Sequence, residues 1–399
     1  MSSNIIFLVS NLTGDGAQRI VVSVANSVNN SKLVTIYNTP SAYASSAERV
    51  SLSSFSSPRM VRIVKTPLIL SRYIHTIKRE GAAVSISALP VDNLINILSS
   101  IITGIPAIIS VHGMPSHNYS KIDKLIKSTV FFLTKKKKTR VIAVSNGVRD
   151  ELIRLYGLSE SQISVIYNPI DISTIQELAK EEELDSRVNT TVPLVVTVGR
   201  LNAVKGQWHL IRAFAELRKK QECQLLICGE GPEKDYLSGL IRDLGIEEDV
   251  VFLGWQENPY KYMKRATMLV HSSLSESFGN IIVEAMACGC PSVVARCSPA
   301  IEEVMGSDSS CGFISEKMSG VRYSATDSLD SGEINLLKGM ELILNDEEFR
   351  QKMSLACLKW AKEFDLDIGV QKYVELIEIV TGNKNRSTLK NIFVNDNSW

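Results

Sequence analysis

With 399 residues and 44% hydrophobic side chains, the chain is long enough for two domains, each with its own core. Its 44 Lys and Arg nearly balance 43 Asp and Glu, and a net charge of +1 excludes a general nucleic-acid binder while leaving room for a local basic face. No apolar run is long enough to span a bilayer: Leu94 to Ile109 is interrupted by Asn96, Ser99, Ser100 and Gly104.

The opening MSSNIIFLVSN lacks a basic leader and a cleavage site, so it reads as a first buried strand, Ile5 to Val9, and not as a signal peptide. A turn with Gly14 and Gly16 follows, then a helical pattern from Ile20 to Val28. Strand, glycine turn, helix is the first unit of a doubly wound sheet. The third glycine of a dinucleotide fingerprint is missing, so the turn is either structural or a ligand loop. Further strands are expected at Leu33 to Tyr37, Val84 to Ser87, Ala107 to Val111, Val141 to Ser145 and Ile163 to Tyr167. His112 directly follows one of them, at the strand end where open α/β sheets bind ligands. It either serves that crevice or simply ends the strand. Tyr119 to Arg140 has apolar residues at helical spacing, interleaved with Lys121, Lys124, Lys127 and Lys135 to Lys138. An ordinary surface helix and a peripheral contact with anionic lipid headgroups both fit.

From Asp171 to Leu194 the chain turns polar, which predicts a linker between domains 1–188 and 189–365. Strand Leu194 to Val198 opens the second domain. Four strand ends there carry polar or glycine residues: 199–206, 229–232, 254–258 and 271–280. In a parallel sheet all four meet at one edge. Arg200 and Lys205, on a loop bounded by Gly199 and Gly206, can converge on a diphosphate. Gly229 and Gly231 permit close backbone approach. The stretch Ser273 to Ala295 places Glu276 and Glu284 eight positions apart around Ser277-Phe278-Gly279-Asn280. A helix starting near Gly279 or Asn280 and ending at Gly289 would offer its amide terminus to a phosphate. The seven cysteines read as reduced core thiols, and Cys288-x-Cys290 has no second pair to complete a metal site. Asp365-Leu366-Asp367 reads as a helix cap, not a metal motif.

Together, V-G-R-L…K-G (198–206), G-E-G-P (229–232), F-L-G-W…N-P (252–259) and S-E-S-F-G-N-x3-E-A-M-A-C-G-x-P (275–291) resemble the retaining GT-B glycosyltransferases of family 4. Upstream, G-D-G-A-Q-R (14–19), I-A-V-S-N-G-V (142–148) and V-I-Y-N-P-I-D (165–171) extend the resemblance over most of the chain. The resemblance implies an α/β fold of two Rossmann-like doubly wound domains facing across a cleft, with a terminal helix near 366–399 packing back on the first. It implies that Arg200 and Lys205 contact the diphosphate of a nucleotide-sugar donor. Glu276 would bind the sugar hydroxyls and Glu284 the ribose. Phe278, Gly279 and Asn280 would present backbone amides. Gly16, Gly199, Gly229 and Gly254 would lie against the donor, and His112 near the transferred sugar. No metal or cofactor is implied. UDP-sugars are favoured over GDP-sugars, and the acceptor would be a glycan or polyprenyl-linked oligosaccharide of surface polysaccharide synthesis. The expected place is the cytoplasm, on the inner face of the membrane if the basic helix binds lipid. A non-catalytic sugar-nucleotide-binding protein on the same fold stays open. A phosphorylase-like enzyme with a pyridoxal cofactor is disfavoured by size. Gln18, Cys290 and Ser298-Pro299-Ala300 depart from the family's common pattern, the last of them in the sugar or acceptor contacts.

Overall fold

The computed structural model describes residues 4–13, 16–39, 45–53, 66–117, 120–137, 139–306 and 310–382. Tyr119, Lys138 and the tail after Gly382 therefore lie outside the described residues.

The chain forms two compact units, Met1–Pro169 with Leu366–Trp399, and Ile170–Asp365. In the first, β1 (Asn4–Val9), β2 (Ser31–Tyr37), β3 (Glu48–Ser53), β4 (Ala82–Ser87), β5 (Ala107–Val111), β6 (Arg140–Ala143) and β7 (Ile163–Val165) make one sheet. Its order is β3-β2-β1-β4-β5-β6-β7, with every pair parallel. In the second, β8 (Leu194–Val198), β9 (Gln224–Cys228), β10 (Val250–Gly254), β11 (Met268–His271), β12 (Ser292–Ala295) and β13 (Gly312–Ser315) run in the order β10-β9-β8-β11-β12-β13, again parallel. Helices follow most strands, so the inner strands of both sheets are largely buried and mostly apolar. The order reverses beside β1 in one sheet and beside β8 in the other, and a doubly wound sheet binds ligands at such points.

Each unit has its own core. Ile6, Leu8, Val34, Ile36, Tyr73, Ile77 and Ile95 are buried together in the first. Val195, Trp208, Phe214, Leu225, Ile227, Val270, Val293 and Met340 belong to the larger cluster of the second. Strand β3 and helix Thr66–Arg79 were not read from the sequence. Strand β3 (ERVSLS) is a polar edge strand with one buried residue, Leu52, so it gives little hydrophobic signal.

The predicted end of the first domain at 188 needs correction: the division falls after Pro169. Polarity alone suggested a linker. Within that segment, Asp171 caps helix Ile172–Leu178, accepting from the Thr174 amide at 2.9 Å. Ile172 and Ile175 are buried, and the helix packs on the Asn280–Ala287 and Tyr260–Arg265 helices. Gln176 donates to the Ala287 carbonyl at 3.3 Å, and Asn258 to that of Leu178 at 2.8 Å. These contacts fasten the segment to the second unit. At the other end, helix Leu366–Thr381 buries Tyr373, Leu376 and Ile377 in the first unit, with Gly369 close against Pro169.

Candidate active site

Backbone hydrogen bonds join the carboxyl ends of β8, β9 and β10. The Gly199 amide donates to Cys228 O at 2.9 Å, and the Gly229 amide to Gly254 O at 2.7 Å. The Leu201 amide reaches Glu230 O at 2.9 Å. Nothing larger than glycine fits at two of these positions: a Cβ on Gly229 would lie 2.0 Å from Gly199 O, and one on Gly231 2.2 Å from Leu201 O.

The next loop is fixed in the same way. Asn202 caps the single turn Ala203–Lys205, its side chain accepting from the Lys205 amide at 3.2 Å. Gly206 then adopts φ 58 and helix Gln207–Arg218 begins. The Leu274 amide donates to Val204 O at 2.8 Å, and Ser272 and Ser273 donate hydroxyls to Gly206 O and Val204 O at 3.0 and 3.1 Å. Two loops far apart in sequence are thereby tied together, and this brings Lys205 onto Glu276.

The Lys205 ammonium lies 2.6 Å from Glu276 Oε1, and His271 Nε2 lies 3.0 Å from the same oxygen. Burial by itself would raise the Glu276 pKa. The Lys205 charge and the His271 hydrogen bond outweigh it, holding the carboxyl well below the usual carboxylate range. Glu276 is therefore anionic at neutral pH. Because a carboxylate only accepts, His271 Nε2 carries the proton and donates. His271, at the end of β11 and 3% exposed, is a site residue that sequence reasoning missed. Its position five before Glu276 was the available signal. Cys297, read from the sequence as one of the core thiols, lies near Glu276. It alone of the seven free cysteines is not fully buried. Burial, with the nearby Glu276 charge, pushes its thiol up to about 12.

Phe278 is buried against Phe364, with ring centroids 5.6 Å apart, and leads into Gly279 at φ 97. The helix Asn280–Ala287 starts at the next residue, at the predicted position, and ends two residues before the expected Gly289. Glu284 lies inside this helix and is buried. Arg200 is exposed on the loop after β8, its carbonyl accepting from Gln207 Nε2 at 3.1 Å. Of the predicted residues in this unit, the structure joins Lys205 to Glu276 directly and Gly199, Gly229 and Gly254 through their backbones.

Gly16 and His112 belong to the other unit. Gly16 is the exposed first residue of helix Gly16–Ser27. His112 follows β5, with Nε2 2.8 Å from Ser110 Oγ; burial lowers its pKa to about 4, opposed by a hydrogen bond with Asn168. Near the β1 end, Asp92 is fully buried and takes the Ser10 amide at 2.9 Å and the Ser10 hydroxyl. Burial raises its pKa to about 7 against those two bonds.

Among the described residues, His209, Asp330 and Glu333 form one group with metal-ligand atoms close together. Most of its donor atoms are already committed, with Asp330 Oδ2 the one left without a hydrogen bond among the described residues. Asp330 and Glu333 form the capping box of helix Ser331–Asn345. Glu333 also accepts from His209 Nδ1 at 2.9 Å and Arg212 Nε at 3.0 Å, and His209 Nε2 accepts the Gly320 amide at 3.2 Å. The arginine supplies the positive charge a cation would bring.

The "Glycosyltransferase Family 4" profile matches residues 14–174 and "Glycosyl transferases group 1" matches 179–325, between them most of the chain. The chain belongs to the GT-B glycosyltransferases of family 4, group 1. It is 29% identical over 253 residues to the N-acetylgalactosamine-N,N'-diacetylbacillosaminyl-diphospho-undecaprenol 4-alpha-N-acetylgalactosaminyltransferase of Campylobacter jejuni, covering 63% of this chain and 64% of that one. It is 32% identical over 161 residues to the lipopolysaccharide 1,6-galactosyltransferase of Salmonella typhimurium, covering 39% and 42%. The matches thus span less than two thirds of these curated relatives. Its fold is similar to that of Anabaena HepE in complex with UDP, with a TM-score of 0.73, 20% identity, and coverage of 94% of this chain and 99% of that one.

Proposed function

We propose that the protein is a metal-independent, retaining glycosyltransferase that moves a hexose or N-acetylhexosamine from a UDP-sugar to a glycan or lipid-linked oligosaccharide. The observation that carries this reading is the Lys205–Glu276 pair at the carboxyl edge of the second sheet, flanked by the amide terminus of helix Asn280–Ala287. An ammonium has three N–H donors, and Glu276 uses one. The others suit phosphate oxygens, with Arg200 on the same loop. Glu276 would take the sugar hydroxyls, Glu284 the ribose, and the amides of Phe278, Gly279 and Asn280 the diphosphate. His112, neutral at physiological pH, and Gly16 would serve the acceptor side and the diphosphate.

In this mechanism the bond from C1 of the sugar to the phosphate oxygen breaks, and a bond from C1 to the acceptor oxygen forms on the same face. The acceptor proton passes to the departing diphosphate. Lys205, Arg200 and the helix dipole stabilise the charge that develops there, the work a metal does elsewhere. The UDP complex of HepE and the names of the curated relatives support the donor and acceptor classes. A UDP- and GDP-sugar panel, with the product anomer read by NMR, tests the reading. Retained configuration from a UDP-sugar, undiminished by EDTA, is expected. An inverted product or loss of turnover on chelation would defeat it.

Peripheral membrane contact belongs to the same proposal. No helix among the described residues is long and apolar enough to cross a membrane. Helix Lys121–Lys137 exposes Ile122, Leu125 and Phe132 beside Lys121, Lys124 and Lys135 to Lys137. That surface suits anionic headgroups. Lys127 is not part of it: it is buried, and burial lowers its pKa to about 8. Flotation with phosphatidylglycerol vesicles should exceed that with neutral ones, and Lys124→Glu with Lys135→Glu should abolish the difference. Equal flotation would remove the membrane contact.

A further inference from the structure

Lys205 and His271 converge on one oxygen of Glu276, and the three side chains are not equally fixed. Glu276 stands on the irregular loop between β11 and helix Asn280–Ala287. Lys205 ends a single turn on a glycine-bounded loop. Both are long side chains with several rotatable bonds. His271 is different. It is the last residue of β11, paired in register with Val294 of β12, and 3% exposed. Its ring has only two torsions, and packing holds both.

The distribution of hydrogen bonds matters as well. Lys205 and His271 both use Glu276 Oε1. Oε2 takes no hydrogen bond from the described residues. When the Lys205 ammonium turns some of its donors to a diphosphate, its hold on the carboxylate weakens. His271 can keep Oε1 in place regardless, which leaves Oε2 available.

We propose that His271 is a positioning residue for donor binding: by donating Nε2–H to Glu276 Oε1 it fixes the carboxylate so that Oε2 recognises the sugar hydroxyls of the nucleotide sugar. This rests on the donor reading given above. It assigns His271 to recognition of the sugar and not of the nucleoside diphosphate.

The test compares His271→Gln, whose terminal amide reaches the place of Nε2, with His271→Asn, whose amide is too short to reach Oε1. The first arm needs no ligand. The Glu276 carboxyl is titrated by 13C NMR in glutamate-labelled protein and assigned with Glu276→Gln. The Asn variant should titrate at higher pH than the wild type, and the Gln variant close to it. The second arm measures binding of UDP, UDP-glucose and UDP-N-acetylglucosamine by calorimetry. His271→Asn should weaken the preferred nucleotide sugar by about 10-fold or more while UDP stays within about twofold, because a hydrogen bond to a charged group is lost. His271→Gln should recover most of that loss. An unchanged Glu276 titration in the Asn variant, equal behaviour of the two variants, or a parallel fall in UDP affinity would overturn the proposal. If the wild type binds no nucleotide sugar, the donor reading fails, and the titration arm still decides whether His271 holds Glu276.

Discussion

Glu276 is a charged residue in a largely buried place, and its two partners explain why it stays ionised there. Glu276→Gln should keep the fold and lower turnover by about 10²-fold, the size typical of a lost charged contact to a reacting group. Circular dichroism with steady-state kinetics checks it. The titrating residues of the first unit make a second prediction. The Asp92 pKa is raised to about 7, so the native state holds a proton that the unfolded state releases near pH 4. Its effect on stability is therefore harmless below about pH 4 and becomes unfavourable as the pH rises toward 7. His112, lowered to about 4, acts in the opposite sense: stability is lost as the pH falls from about 6.5 toward 4. Asp92→Asn keeps an acceptor for the Ser10 amide and removes the first effect. Its unfolding free energy, measured by denaturation, should rise relative to wild type as the pH goes from 4 to 7, by an amount on the order of 1–3 kcal/mol. A difference that does not change with pH would refute this. Sequence alone gave Glu276, Lys205 and the glycines, because motif spacing fixes them. It did not reveal His271 or Asp92. Their importance comes from contacts, and a lone histidine at a strand end or an aspartate in a first helical turn is common without any.

The strand-loop-helix units were legible wherever a buried apolar strand met a glycine or polar turn. Strand β3 was not, because its pattern is that of an exposed edge, and the 170–188 segment was misassigned because polar composition hid the two isoleucines that attach it. The glycine loops show why composition is not enough. Gly229 and Gly245 both have positive φ, but only Gly229 has a neighbouring backbone in the way: Gly199 O would lie 2.0 Å from its Cβ, while nothing lies within 4 Å at Gly245. Gly245→Ala should cost about 1 kcal/mol from backbone conformation alone. Gly229→Ala should cost more than about 2 kcal/mol and distort the β8–β9 loop junction. Chemical denaturation of the two variants checks the order, and equal costs would contradict the close approach.

At the scale of the whole molecule, the first unit is completed by residues from the far end of the chain. Helix Leu366–Thr381 buries Tyr373, Leu376 and Ile377 there and packs on helix Gly16–Ser27 and β4. Ending the chain at Asp365 should remove hydrogen-exchange protection from those two elements and spare β8 to β13. Uniform loss would mean that the units do not behave separately. The helix itself is legible in the periodicity of Ile368 to Val380, whereas its packing on the first unit was expected only from the family resemblance, because amphipathicity does not name a partner. The central claim is that the second unit binds and activates a nucleotide sugar through Lys205 and Glu276. The most direct test is a nucleotide-sugar panel scored by transfer or slow hydrolysis for wild type and Lys205→Ala. One donor class should turn over in the wild type, with a loss of about 10²-fold or more in the folded variant. Near-normal turnover by Lys205→Ala would contradict it.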